Sequence, residues 1–389
     1  MAQDPIFFSI VLIFAGAAVL ATAAIYLRQS LLVAYIALGV LLGPWGADAV
    51  ADPALFAKMA HIGVVFLLFL LGLDLHPQEL VRRLGEVTVV TFLSSAIFAA
   101  LGFVAALALG LPTGESLLVG AAMMFSSTVI GVKLLPTTQL HHRHKGKMII
   151  SILLLQDILA VLVLLVLESY GRGTNLGLEL GRTLLTLPLL AGAVLAGERW
   201  LLRPLMVRFD SIHEYLFLVA LGWCLGIAHL AHMIGFSHEI GAFVAGVALA
   251  QSPAALFIVQ NLKPVRDFFL IVFFFSVGAG LDLKGAADIA LPALLLASIL
   301  LLAKPTVFRF LLKRQGEDAK LAGEVGTRLG QASEFALLIA VLALETNFIG
   351  EQAANLIQIT VLITFVASST WIGARLPSPL ASNARLRRD

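Results

Sequence analysis

Apolar runs of about twenty residues succeed one another from one end of the chain to the other, with short polar breaks between them. In lipid a backbone N–H or C=O has no water to turn to. A run of this length is therefore stable only as a helix that satisfies its own hydrogen bonds. With 60% hydrophobic residues, 13% charged residues and a mean hydropathy of +0.98, no soluble domain fits. The runs predict about 13 spans, near 6–26, 31–45, 57–75, 87–110, 115–135, 148–168, 181–202, 213–233, 237–251, 265–281, 287–312, 321–345 and 352–373. The chain reads as an all-α polytopic membrane protein in a lipid bilayer, with no room for a second soluble domain. Its one cysteine, Cys224, excludes an intrachain disulfide and a cysteine-based metal site. Because it holds no Gly-rich phosphate loop, His/Cys metal cluster or nucleophile elbow, no cofactor, nucleic-acid partner or enzymatic activity is expected. The start, Met1-Ala2-Gln3-Asp4, lacks the basic residues of a signal peptide, so the first run is expected to be retained.

The placement of lysine and arginine tests this division. Of 26 such residues, 19 follow odd-numbered spans, among them Arg82, Arg83, Arg143, Lys145 and Lys147. Four follow even-numbered spans, and three, Lys133, Lys304 and Arg328, lie inside spans. Positive charge marks the cytoplasmic side, so the N-terminus is expected outside and the C-terminus inside.

Short stretches also recur at a nearly constant offset. Gly72-Leu73-Asp74-Leu75 returns as Gly280-Leu281-Asp282-Leu283, Ala37-Leu38-Gly39-Val40 resembles Val244-Ala245-Gly246-Val247, and Ser126 is matched by Ser333. Residues 1–180 (spans 1–6) and 211–389 (spans 8–13) thus form two copies joined by span 7 at 181–210. They start on opposite sides, so the repeat is inverted. Inverted repeats with interrupted helices place a substrate site near the membrane midplane.

Asp157 is the residue such a site would use. It is the tenth of 21 residues in the apolar run Met148–Glu168, which puts it about 15 Å from either surface. A charge there costs roughly 2.5–3.5 kcal/mol on insertion scales, and intramembrane acids usually serve ions or protons. Gln156 beside it offers an amide oxygen, a cation ligand without charge. Two spans carry polar interruptions at matched positions: Ser126-Ser127-Thr128 in the fifth, and Gln331, Ser333 and Glu334 in the twelfth. They predict two broken helices crossing at the centre, with freed carbonyls and half-helix ends beside Asp157. Unbroken helices whose hydroxyls bond back to the i−4 carbonyl are the alternative.

Lys304 also lies near mid-depth, next to Pro305. A mobile counter-charge and a fixed partner of Asp157 or Glu334 both remain open for it. Glu334 is a second candidate proton or cation group, or a partner of Lys304 or Arg328. Arg328 and Lys133, nearer the cytoplasmic ends, are expected to snorkel. Asp74 and Asp282 read as cap or loop residues. His141, His142 and His144 belong to a basic cytoplasmic loop suited to lipid headgroups. His61, His229, His232 and His238 lack metal-ligand spacing and read as structural.

Taken together, Phe69-Leu70-Leu71-Gly72-Leu73-Asp74-Leu75, Ser126-Ser127-Thr128-Val129, Leu154-Leu155-Gln156-Asp157, Gly241-Ala242-Phe243-Val244-Ala245-Gly246, Phe274-Phe275-Ser276-Val277-Gly278 and Gly330-Gln331-Ala332-Ser333-Glu334-Phe335 resemble the cation:proton antiporter-2 family, and within it the Kef-type potassium/proton antiporters. The resemblance implies a sodium/proton antiporter-like fold, a homodimer and a bacterial-type inner (plasma) membrane. It also implies a core of residues 86–168 and 287–373 that slides against a scaffold. It makes Asp157 the cation/proton carboxylate, Gln156 a co-ligand, and Ser126, Ser127 and Thr128 the lining of the site, with Lys304, Glu334 and Ser333 in support. Kef-type proteins carry a C-terminal nucleotide-binding domain. This chain stops at Asp389, so that domain is either lacking in the natural protein or removed, and the sequence gives no support to regulation by nucleotide or glutathione.

The expected activity is electroneutral exchange of a monovalent cation, potassium before sodium, for a proton. One carboxylate holds one or the other, and only the neutralised site crosses the apolar barrier. A sodium/proton antiporter of the same fold and a potassium channel or uniporter are the rivals. A channel would pass current at fixed pH. An intramembrane hydrolase would need a second catalytic group where Gln156 stands.

Overall fold

The computed structural model describes residues 5–27, 29–50, 53–74, 77–133, 144–171, 176–252, 254–281 and 283–376. In chain order they form α1 Pro5–Tyr26, α2 Leu31–Leu42, α3 Pro53–Asp74, α4 Pro77–Ala108, α5 Thr113–Met123, α6 Thr128–Lys133, α7 His144–Gly171 and α8 Leu176–Gly197. A π turn, Glu198–Leu202, leads into α9 Arg203–Arg208. Then follow α10 His213–Met233, α11 His238–Leu249, α12 Ala255–Ala279, α13 Leu283–Arg314, α14 Ala319–Arg328, α15 Glu334–Glu345 and α16 Glu351–Arg375. The described residues contain no strand, in agreement with the all-α expectation.

Eight helical segments among the described residues are long and apolar enough to cross a membrane. The expected number of about 13 is not established by length and hydropathy alone, and the reasons are local. At 12 residues each, α2 and α11 reach only about 18 Å. The fifth and twelfth expected spans are each cut in two. The tenth begins ten residues earlier than expected, and α12 carries Lys263, Arg266 and Asp267 in its first half. The basic loop at 141–143 and Asp282 lie outside the described residues, as do the side chains of Asp74, Lys133 and His144.

Two compact units emerge. The first comprises Met1–Ala49, Arg83–Leu164 and Val277–Asp389, and the second Val50–Arg82 and Leu165–Ser276. Between helices in lipid the hydrophobic effect gives little, and close packing over small residues gives much. In the second unit α3 crosses α11 at glycines. A Cβ on Gly246 would stand 2.1 Å from the Phe69 carbonyl oxygen, and one on Gly72 would stand 2.4 Å from that of Phe243. In the first unit the end of α12 meets α2 in the same way, a Cβ on Gly278 falling 2.1 Å from the Ile36 oxygen. Gly72 and Gly246 belong to the stretches that recur in the sequence, and Gly278 and Ile36 lie beside them.

The rest of the first unit serves the two breaks. Helices α13 and α16 pack along each other, and α14 lies on α13. Gly326 permits the second contact, since a Cβ there would be 2.6 Å from the Pro305 oxygen. Phe98, Ile149, Ile152, Phe308, Leu312 and Leu329 fill the space between α4, α7, α13 and α14.

Candidate functional site

Helix α5 stops at Met123 and α6 starts at Thr128; α14 stops at Arg328 and α15 starts at Glu334. Each gap exposes backbone groups that an unbroken helix would satisfy, and the structure shows where those groups go. Ser127 Oγ accepts from the Ile130 N–H at 3.1 Å, and Ser333 Oγ accepts from the Phe335 N–H at 3.2 Å. Each hydroxyl therefore caps the helix that restarts after its break. By role, the counterpart of Ser333 is Ser127 rather than Ser126. Ser126 instead donates across to the Leu329 carbonyl at 2.9 Å and so joins one break to the other. The hydroxyls bind out of the helices, and the expectation of two broken, crossing segments holds.

Two side chains fasten the crossing further. Gln331 Nε2 donates to the Ser127 carbonyl at 3.3 Å, and Gln331 Oε1 accepts from Ser368 Oγ at 3.0 Å. The Ala332 N–H donates to Thr364 Oγ1 at 3.1 Å. Lys304 is fully buried, and its ammonium donates to the Phe125 carbonyl and, at 3.0 Å, to the Gln331 carbonyl. Its Nζ also lies 5.3 Å from the centre of the Phe98 ring. The two hydrogen-bond acceptors follow the C-terminal ends of α5 and α14, where the helix dipoles present negative charge. Lys304 thus spends its ammonium on backbone oxygens and ties one break to the other.

Asp157 lies on α7, 2% exposed. Thr128 Oγ1, at the N-terminus of α6, stands 3.5 Å from both of its carboxylate oxygens. That is too long for a strong hydrogen bond, but it puts three oxygens together at the positive end of a half-helix. Gln156 turns to the first break. Its Oε1 accepts from the Ser126 N–H at 3.0 Å, and its Nε2 donates to the Met124 carbonyl at 3.2 Å. A carboxamide oxygen has two lone pairs, so one remains for a cation. Glu334, buried in the first turn of α15, is the acid at the positive end of the other half-helix.

One expectation needs correcting, and one set of residues is brought together without notice. Arg328 does not snorkel: it is fully buried, with Nε and Nη2 each 3.2 Å from Glu324 Oε1. The four histidines set apart by spacing come together in the second unit. The rings of His61, His229 and His232 lie 6.5, 6.4 and 4.2 Å from that of His238. His61 Nε2 approaches the buried Glu239 Oε1 at 3.1 Å, without the angle of a hydrogen bond. Among the described residues no three His, Cys, Asp or Glu side chains are placed to hold a metal ion. Sequence reasoning missed Ser368 and Thr364, because α16 looks like an ordinary span. Gln331 was visible only as the amide of an interruption.

Residues 10–376 match the family described as Sodium/hydrogen exchanger, transmembrane. The chain belongs to that family. The chain is 30% identical over 367 residues to Glutathione-regulated potassium-efflux system protein KefC of Salmonella typhi, a match covering 93% of this chain and 59% of that protein. The chain thus spans about three-fifths of the length of KefC, in agreement with the resemblance to a Kef-type membrane domain. It is 28% identical to Iron transporter MagA of Paramagnetospirillum magneticum over 89% of this chain and 80% of that one. Among solved structures, the sodium proton antiporter MjNhaP1 from Methanocaldococcus jannaschii shares the fold, with a TM-score of 0.71 over 95% of this chain and 97% of that one at 20% identity. These relatives are transporters rather than enzymes, in agreement with the expectation.

Proposed function

We propose that the exchanger swaps a monovalent cation for a proton at Asp157, one for one, with potassium preferred to sodium. The carrying observation is a buried carboxylate halfway along a spanning helix, facing Thr128 where two broken helices are tied together. Oxygen donors alone surround it in this reading: Asp157, Thr128, the second lone pair of Gln156 and the hydroxyl of Ser126. Hard cations suit such a set. The preference for potassium rests on the Gln156-Asp157 pair and on the likeness to KefC.

A carboxylate stripped of water is costly when bare and cheap when neutralised by a proton or a cation. Each ligand displaces the other, and either one lets the site move. With one titrating acid, the charge carried is the same in both directions, so exchange is electroneutral. The moving body is the core, 86–168 and 287–373, working as an elevator against the remaining spans in a homodimer. The lysine and arginine asymmetry supports an N-terminus outside and a C-terminus in the cytoplasm. The glycine crossing at Gly246 falls on the recurring stretches and that at Gly278 lies beside them, which supports an inverted repeat of 1–180 and 211–389 about span 7.

Reconstitution into liposomes with an internal pH dye tests this reading. Potassium gradients should drive proton flux without current, and Asp157→Asn should abolish it. Undiminished flux in that variant, or current at fixed pH, overturns the proposal. Gln156→Asp should shift preference toward sodium.

A further inference from the structure

At the other end of the first unit's helices, away from the breaks, a cavity of about 350 Å³ opens between the end of α4 and the starts of α13 and α16. Its lining holds the carboxylates of Asp288 and Glu351, the amides of Gln352 and Asn355, and Pro292, with no basic side chain among the described residues. A third acid, Glu115, is close: its Oε1 lies 3.8 Å from where a Cβ on Gly350 would be. Acids in the first turns of helices are ordinary, since they offset the dipole. That accounts for Glu351 and Glu115 but not for Asn355.

Asn355 sits one turn deeper and is only 6% exposed, and among the described residues nothing hydrogen-bonds its amide. A buried amide without a partner is costly, so a group inside the cavity must satisfy it. Pro292 adds a second signal. It has no N–H to give to the carbonyl four residues back, which is that of Asp288. The Asp288 carbonyl is thus left without its helical hydrogen bond beside a residue that also lines the cavity.

We propose that the cavity binds a hydrated alkaline-earth cation such as calcium, held by oxygens of Asp288, Glu351, Gln352 and Asn355. The chemistry selects the class. Every polar group in the lining is an oxygen donor or carries one, which suits a hard cation. Two carboxylates balance a divalent charge, whereas the transport site has one acid for a monovalent ion. Calcium takes six to eight oxygens in loose geometry, and a cavity of this size holds the waters that complete the shell. This site is separate from Asp157 and does not rest on the transport reading.

The test is calorimetric titration of calcium into the purified full chain in detergent, with potassium in large excess. One calcium should bind per chain. Asp288→Asn and Glu351→Gln, both at exposed positions, should each weaken binding about tenfold, as the ligand charge falls. Asn355→Asp should tighten it, and Asp157→Asn should leave it unchanged. Absence of saturable binding, wild-type affinity in either neutralised variant, or loss of binding in Asp157→Asn overturns the proposal. The last result would place the ion in the transport site, and the first would leave the cavity filled by water alone.

Discussion

Replacing Lys304 by methionine separates two roles that its position alone does not. The substitution keeps most of the aliphatic stem and removes the ammonium. The carbonyls of Phe125 and Gln331 then lose their donor in a fully buried place. A buried acceptor left bare costs about 1–3 kcal/mol, so two cost about 2–6 kcal/mol. Against this, a buried ammonium carries a desolvation penalty of several kcal/mol that methionine does not. The net loss should sit near the low end, about 2 kcal/mol. With an unfolding entropy of about 2.1 cal/mol/K per residue and 389 residues, that is a fall in melting temperature of about 2–3 °C. Intrinsic fluorescence from the four tryptophans reports it in detergent.

The decisive arm is a double-mutant cycle with Asp157→Asn. If Lys304 only ties the breaks, the two losses add to within about 0.5 kcal/mol. If Lys304 is a counter-charge to Asp157, removing both charges should restore about 1 kcal/mol or more of what Lys304→Met loses. Such coupling, or a Lys304→Met protein as stable as the wild type, would refute the account of Lys304 as a splint.

Other outcomes follow from the same geometry. Gln156→Leu strands the Ser126 N–H and the Met124 carbonyl, so it should cost about 2–6 kcal/mol and abolish flux. Gln156→Glu keeps the acceptor for Ser126 and should retain more stability than leucine does in the same melts. Ser333→Ala removes the cap of α15 and should cost about 1 kcal/mol, with Ser333→Asp recovering it. Gly246→Leu forces a side chain onto the Phe69 backbone and should cost about 3 kcal/mol or more, seen as loss of monodisperse protein on gel filtration.

Asp318 caps α14, and the N–H groups of Leu321 and Lys320 hold its carboxyl below the usual carboxylate range. Its contribution is therefore complete above the ordinary aspartate value and fades as the pH falls through the lowered one. Asp318→Asn should remove that acid-side slope from the stability profile and leave neutral pH little changed. A profile identical to the wild type would show that the cap does not matter.

Hydropathy alone determined that this chain is helical and spans a membrane, because lipid admits no other way to satisfy a backbone over such a length. It also singled out Asp157, since one charge among apolar residues stands out wherever the helix packs. The matched polar stretches at 126–128 and 331–334 announced the two breaks, as both interrupt otherwise apolar runs. What each side chain does there was not legible. Ser126, Ser127 and Ser333 are chemically alike, yet one joins the breaks and two cap helices, because a hydroxyl takes whichever orphaned backbone group lies nearest. Lys304 and Asp157 invited pairing by depth and opposite charge. Only the packed structure put carbonyls within reach of the ammonium, and backbone oxygens freed by a break have no signature in sequence. The four histidines show the same limit: they stand on α3, α10 and α11, and no spacing along one chain reveals that three helices bring them to a single place.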